Sequence, residues 1–130
     1  MAGLAFEHFA LNVGDPVAVA AWYVEHFGMT VVRRGDPPID MHFLADSGRR
    51  ALIELYNNPV ARTDAYREMH PLQLHVAFTS ADPDADAERL VAAGAVLIEH
   101  QRHPDGSQLT MMRDPWGLPI QLAKRAVAML

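Results

Sequence analysis

Apolar and polar residues alternate near the start of the chain. Phe9, Leu11 and Val13 interleave with His8, Ala10 and Asn12, the period of two of a half-buried strand. From Asp15 the period lengthens. Asp15 suits a helix N-cap and Pro16 the first helical position, and Val17, Ala20, Ala21, Val24 and Phe27 form one apolar stripe that stops at Gly28. Short strand candidates follow at residues 30–33, 41–45 and 51–56, punctuated by Gly35-Asp36-Pro37-Pro38 and Ser47-Gly48. The first half therefore reads strand, helix, then three strands.

The same order recurs 67 residues later. HFALNVGDP, from His8, lines up with HVAFTSADP, from His75, so that Ala10 matches Ala77 and Asp15-Pro16 matches Asp82-Pro83. At the same offset Ile53-Glu54-Leu55 falls opposite Ile120-Gln121-Leu122. A second helix follows Asp82-Pro83, with Ala87, Leu90 and Val91 on its stripe and Gly94 at its end. Strands are predicted at 96–99, 109–113 and 118–123, separated by Pro104-Asp105-Gly106 and Asp114-Pro115-Trp116-Gly117. A duplicated unit fixes an architecture. The expectation is an α+β fold: two tandem βαβββ modules forming a curved eight-stranded mixed sheet around a central pocket. Residues 1–130 form one domain, with module one at 1–57, a polar linker at 58–71 bounded by Pro59 and Pro71, and module two at 72–130.

Composition narrows the function classes. A chain of 130 residues, half of them hydrophobic and 21% charged, is long enough for a real core and is globular in character. Its net charge of −5, with no Lys/Arg run longer than Arg33-Arg34, Arg49-Arg50 and Lys124-Arg125, offers no field for phosphate backbones, so nucleic acid is not an expected partner. No stretch approaches the roughly 18 apolar residues of a membrane span, and the start lacks a basic region followed by a long apolar run. A soluble protein is expected, cytoplasmic by default. The absence of cysteine removes disulfides, thiolate metal sites and cysteine nucleophiles together.

Strand parity then selects candidate chemistry. If Phe9, Leu11 and Val13 pack under the helix, His8 points to the opposite face; the same argument exposes Glu54 between Ile53 and Leu55, His75 between Leu74 and Val76, and Gln121 between Ile120 and Leu122. Pairing of the modules about a pseudo-twofold axis would bring two imidazoles, a carboxylate and an amide oxygen to one ion. That donor set suits a divalent metal such as Zn, Ni, Co, Fe or Mn. Other candidates have plainer readings. His26, beside Gly28, fits the negative end of the helix dipole. His70, His100 and His103 fall in or near loops, with His100 and His103 able to rim the pocket, and His42 belongs either to the pocket lining or to the surface. Met111, Met112, Trp116 and the tail AVAML suit core or a subunit contact as readily as substrate.

With HFALNV before Asp15-Pro16, ALIELYN around Glu54, LHVAF around His75 and RDPWGLPIQL around Gln121, the chain resembles the vicinal oxygen chelate superfamily over nearly its whole length. That superfamily includes glyoxalases, methylmalonyl-CoA epimerases, extradiol dioxygenases, fosfomycin-resistance enzymes and bleomycin-binding proteins. The resemblance places His8, Glu54, His75 and Gln121 at the family's metal-ligand positions and implies one divalent ion, a small-molecule substrate and a homodimer. Gln121 departs from the Glu usual there in glyoxalases, dioxygenases and fosfomycin enzymes. The order His, Glu, His, Gln is the epimerase order with its modules exchanged, which would move the late Glu's role to Glu54, as ligand or as catalytic base. Three functions follow from the resemblance. The first is a metal-dependent lyase or isomerase of the glyoxalase type, acting on a small carbonyl or thiol-conjugated substrate. The second is an extradiol-type ring-cleaving dioxygenase using the two His and one carboxylate. The third is a metal-free protein that sequesters a ligand, as bleomycin-resistance proteins do.

Overall fold

A computed structural model describes residues 2–130. The chain divides after Thr63 into two compact units. The first contains β1 (His8–Asn12), α1 (Pro16–Phe27), β2 (Thr30–Arg34), β3 (His42–Ala45) and β4 (Leu52–Tyr56). The second opens with a short 3-10 helix, Ala65–Glu68, and continues with β5 (Val76–Thr79), α2 (Pro83–Ala92), β6 (Val96–Arg102), β7 (Gln108–Arg113) and β8 (Pro119–Lys124). Two tandem βαβββ units are thus present, and the fold is α+β. The eight strands form two four-stranded mixed sheets, in the orders β1-β4-β3-β2 and β5-β8-β7-β6. In each, the parallel pair joins the strand before the helix to the last strand, because the helix supplies the crossover that parallel neighbours require.

The repeat is accurate to single hydrogen bonds. Ala10 pairs with Glu54 as Ala77 pairs with Gln121. Val13 N donates to Tyr56 O at 2.8 Å as Ser80 N donates to Ala123 O at 3.0 Å. Each helix starts on an aspartate whose side chain accepts from the backbone three residues on, Asp15 from Ala18 N and Asp82 from Ala85 N, both at 3.1 Å. Pro follows each cap at a position whose N–H has no helical partner. An N-cap aspartate contributes about 1 kcal/mol. Asp15→Ala and Asp82→Ala are each expected to lower the melting temperature by about 3–5 °C in a thermal scan.

One face of each sheet lies under its helix. In the first unit Leu11, Leu44 and Leu55 are buried there, and in the second Met112, Ile120 and Leu122. The buried face of α1 differs from the expected stripe: Pro16, Val19, Ala20, Trp22 and Tyr23 are buried, whereas Val17 and Val24 are exposed. This helix is apolar nearly all round, so periodicity left two faces open. The face bearing Trp22 and Tyr23 is the one buried, and aromatic rings remove the most surface from water. In α2 the buried residues are Pro83, Ala87 and Leu90, and Val91 is exposed. Strand β6 runs to Arg102, three residues beyond the expected end, because Gln101 and Arg102 pair with Leu109 and Gln108 although their side chains are polar.

The segments after β4 and before β5 are tied down locally. Asn12, buried, donates from Nδ2 to the carbonyls of Asn58 (3.0 Å) and Ala61 (2.9 Å), and its Oδ1 accepts from Asn58 N at 2.7 Å. Arg113 donates to the carbonyls of Tyr66, Met69 and Gly117, which clamps the 3-10 helix to the end of β7.

Candidate metal and substrate site

On the face of the first sheet away from α1, His8 and Glu54 come together. His8 opens β1, and Glu54 stands two residues past its cross-strand partner Leu52, so both side chains project from the same face. His8 Nε2 lies 3.7 Å from Glu54 Oε1. That is too long for a hydrogen bond, but close to the roughly 3.4 Å that separates two ligands of a tetrahedral ion at bond lengths near 2.1 Å. The imidazole Nδ1 is 2.9 Å from Glu7 Oε1. A carboxylate only accepts, so Nδ1 carries a proton, and in the neutral tautomer that follows the lone pair sits on Nε2, on the side of Glu54. Phe43 pairs with Glu54 across β3 and β4, and its ring meets that of His8 edge-on with centroids 5.4 Å apart. Glu54 is well covered, its side chain 20% exposed.

The second unit carries the equivalent residues, His75 and Gln121. His75 stands immediately before β5, in phase with Ala77, whose partner across the parallel ladder is Gln121. The ladder puts Ala77 and Gln121 on one face, and Met111 lies opposite Gln121 as Phe43 lies opposite Glu54. His75 Nδ1 donates to the carbonyl of Pro71 at 2.8 Å, which again leaves Nε2 as the lone-pair nitrogen. Both histidines are held through Nδ1 by an oxygen acceptor, the arrangement that orients imidazoles as metal ligands. Among the described residues, no group of three or more His, Asp or Glu side chains gathers around one point. The donor types of each half, an imidazole Nε2 and a side-chain oxygen, fit a divalent ion.

Four of the other five histidines are occupied elsewhere. His42 is buried, neither pocket lining nor surface: it pairs opposite Leu55 on the helix side, with Nδ1 2.6 Å from Asp40 O. His100 is a strand residue, with Nδ1 2.9 Å from Thr110 Oγ1 and 3.4 Å from Asp84 Oδ1 at the start of α2. His70 Nδ1 accepts from Leu72 N within the turn ahead of β5. His26 stacks at a tilt on Trp22, with ring centroids 5.3 Å apart.

Residues 5–122 match the profile of the Glyoxalase/Bleomycin resistance protein/Dioxygenase superfamily. The chain belongs to that superfamily. No curated protein sequence matches it. Solved structures of the superfamily share its fold. Lactoylglutathione lyase from Agrobacterium tumefaciens superposes with a TM-score of 0.69 at 23% identity, covering 98% of each chain. TnmS3, an antibiotic binding protein from Streptomyces sp. CB03234, superposes with a TM-score of 0.71 at 22% identity, over 94% of this chain and 96% of that one. A glyoxalase-related enzyme from Fulvimarina pelagi gives 0.68 at 23% identity, over 98% and 91%. At such identities the likeness shows the fold. The superfamily's fold carries both catalysis and ligand binding, so activity has to be argued from the residues of the site.

Among the described residues no helix is long and apolar enough to cross a membrane. Three site features escaped sequence reasoning. Glu7 precedes β1, where strand alternation does not apply. Phe43 flanks His8 from two strands away. Arg113 holds the chain ahead of His75 through backbone carbonyls, which leave no trace in residue type.

Proposed function

We propose that this superfamily member is a metal-dependent lyase or isomerase of the glyoxalase type, acting on a small carbonyl or thiol-conjugated substrate. The observation that carries the reading is the pairing of His8 Nε2 with Glu54 Oε1 at 3.7 Å on the open face of the first sheet. His8, Glu54, His75 and Gln121 are the proposed ligands of one divalent ion, of the class Zn, Ni, Co, Fe or Mn. Bound there, the ion would supply Lewis-acid polarisation of a carbonyl oxygen. Glu54 is the proposed base, taking a proton from the carbon next to that carbonyl. It makes no hydrogen bond to His8 at 3.7 Å, so its oxygens keep lone pairs for the task. Glu7 and the Pro71 carbonyl hold the two imidazoles in the proton arrangement the site needs.

Gln121 favours a second reading, ligand sequestration without metal. An amide oxygen is a weaker donor than a carboxylate, and the same face could bind an organic ligand through hydrogen bonds alone. Metal analysis of protein purified without chelator separates the two. The wild type is expected to hold close to one equivalent of metal, with His8→Ala and His75→Ala each retaining less than about a tenth of it, as loss of a direct ligand outweighs the 10–100-fold effect of an outer partner. Equal metal content in all three proteins would sink the metal reading and leave sequestration.

A further inference from the structure

The ladders of the first sheet place one row of side chains across its open face: Ala10 on β1, Glu54 on β4, Phe43 on β3 and Arg33 on β2. Arg33 reaches this row through an irregularity. The register shifts between Val31 and Arg33, so that Arg33, and not Val32, stands opposite Phe43. A bulge of this kind re-aims a side chain. Arg33 is exposed, and no ion-pair partner is found for it among the described residues. The equivalent row in the second unit is Ala77, Gln121, Met111 and Glu99, with the matching shift between Leu97 and Glu99. Its last residue carries the opposite charge. The duplication therefore supplies an internal comparison: same row, same irregularity, and a cation only in the unit that also has the carboxylate Glu54.

We propose that Arg33 recognises an anionic group of the ligand, a carboxylate or phosphate separated by an apolar segment from the oxygens that meet His8 and Glu54. This rests on the glyoxalase-type reading above and names the substrate class for it. Neighbouring strands lie about 4.8 Å apart, so Arg33 is rooted about 10 Å from Glu54, with Phe43 rooted on the strand between them. A flexible Arg covers part of that span, and its planar fork of N–H donors matches carboxylate and phosphate oxygens in pairs. Phe43 provides the apolar floor for the intervening segment. On a chain of net charge −5, an anion gains attraction only where a local cation supplies it.

The test compares 4-carboxybenzohydroxamate with its methyl ester, which differ in charge at the end remote from the chelating oxygens. Both are titrated by calorimetry into zinc-supplemented wild type, Arg33→Ala, Arg33→Glu and His8→Ala. Wild type is expected to bind the carboxylate about tenfold tighter than the ester, the scale of a hydrogen bond to a charged group. Arg33→Ala should bring the two within about twofold, and Arg33→Glu should favour the ester. A carboxylate preference that survives in Arg33→Glu overturns the proposal, as does its absence, or the absence of any binding, in wild type. Failure of the metal reading shows separately, as equal zinc content and equal affinities in His8→Ala and wild type. The carboxylate-to-ester ratio across the Arg33 variants still decides the role of Arg33 in that case.

Discussion

Replacing Glu54 by Gln is expected to slow exchange of the proton beside the carbonyl of a 2-hydroxyacyl thioester by about 10²–10⁴-fold, the usual contribution of a positioned general base. Lactoylglutathione is a suitable probe, since its lactoyl carbon bears a hydroxyl and adjoins the thioester carbonyl. Loss of that C–H signal in D2O, followed by NMR, reads the step directly. Gln fills the same volume as Glu, so the packing of residue 54 against its cross-strand partners Ala10 and Phe43 stays. It retains a side-chain oxygen at the position from which Glu54 approaches His8. Much of the bound metal should therefore remain while the proton acceptor is gone. That combination distinguishes the substitution from His8→Ala, in which metal and exchange are lost together. Exchange at the wild-type rate in Glu54→Gln, with metal present, would reject Glu54 as the base.

Much of the fold was legible because duplication multiplies weak signals. Asp15-Pro16 alone is an ordinary helix start; repeated 67 residues later with the same strand before it, it fixes two units at once. Strand parity also carried through. His8 and Glu54 were placed on one face from alternation alone, and the β1–β4 register puts them there. What stayed hidden involves departures from regular alternation. Strands β3 and β7 match at an offset one residue longer than β4 and β8 do, Phe43 facing Glu54 and Met111 facing Gln121, while Arg33 and Glu99 match at one residue shorter. The extra residue lies between the landmarks that revealed the repeat. The irregularities in β2 and β6 reverse the facing of Arg33 and Glu99, and a run of residues read with a strict period of two cannot show a place where the period fails. The α1 stripe failed for a different reason: in Val17-Ala18-Val19-Ala20-Ala21-Trp22-Tyr23-Val24 polarity does not distinguish the faces, and ring size decided instead.

The two strand-joining turns form a second hidden repeat, with a strong consequence for stability. Asp46 to Arg49 and Asp114 to Gly117 each close by a bond from the fourth residue's N–H to the first residue's carbonyl, at 3.1 and 2.9 Å, and in each the fourth residue has positive φ, +53° at Arg49 and +93° at Gly117. Arginine tolerates the first conformation; the second is one that L side chains rarely adopt. A Cβ at position 117 would also overlap the Cβ of Arg67 and stand 2.9 Å from its Cα, in the 3-10 helix that Arg113 clamps. Backbone cannot swing aside as a side-chain tip can. Gly117→Ala is therefore expected to cost about 3–5 kcal/mol, the strain of the conformation plus that of overpacking. Gly106 provides the control: it has the same φ of +93°, and nothing lies within 4 Å of where its Cβ would be. Gly106→Ala should lose only the conformational part, about 1 kcal/mol. Urea unfolding reads both, with the difference between the two midpoints reporting the Arg67 contact alone. Equal midpoints for the two variants would mean that the 3-10 helix shifts freely, and that its approach to Gly117 contributes nothing to the stability of the second unit.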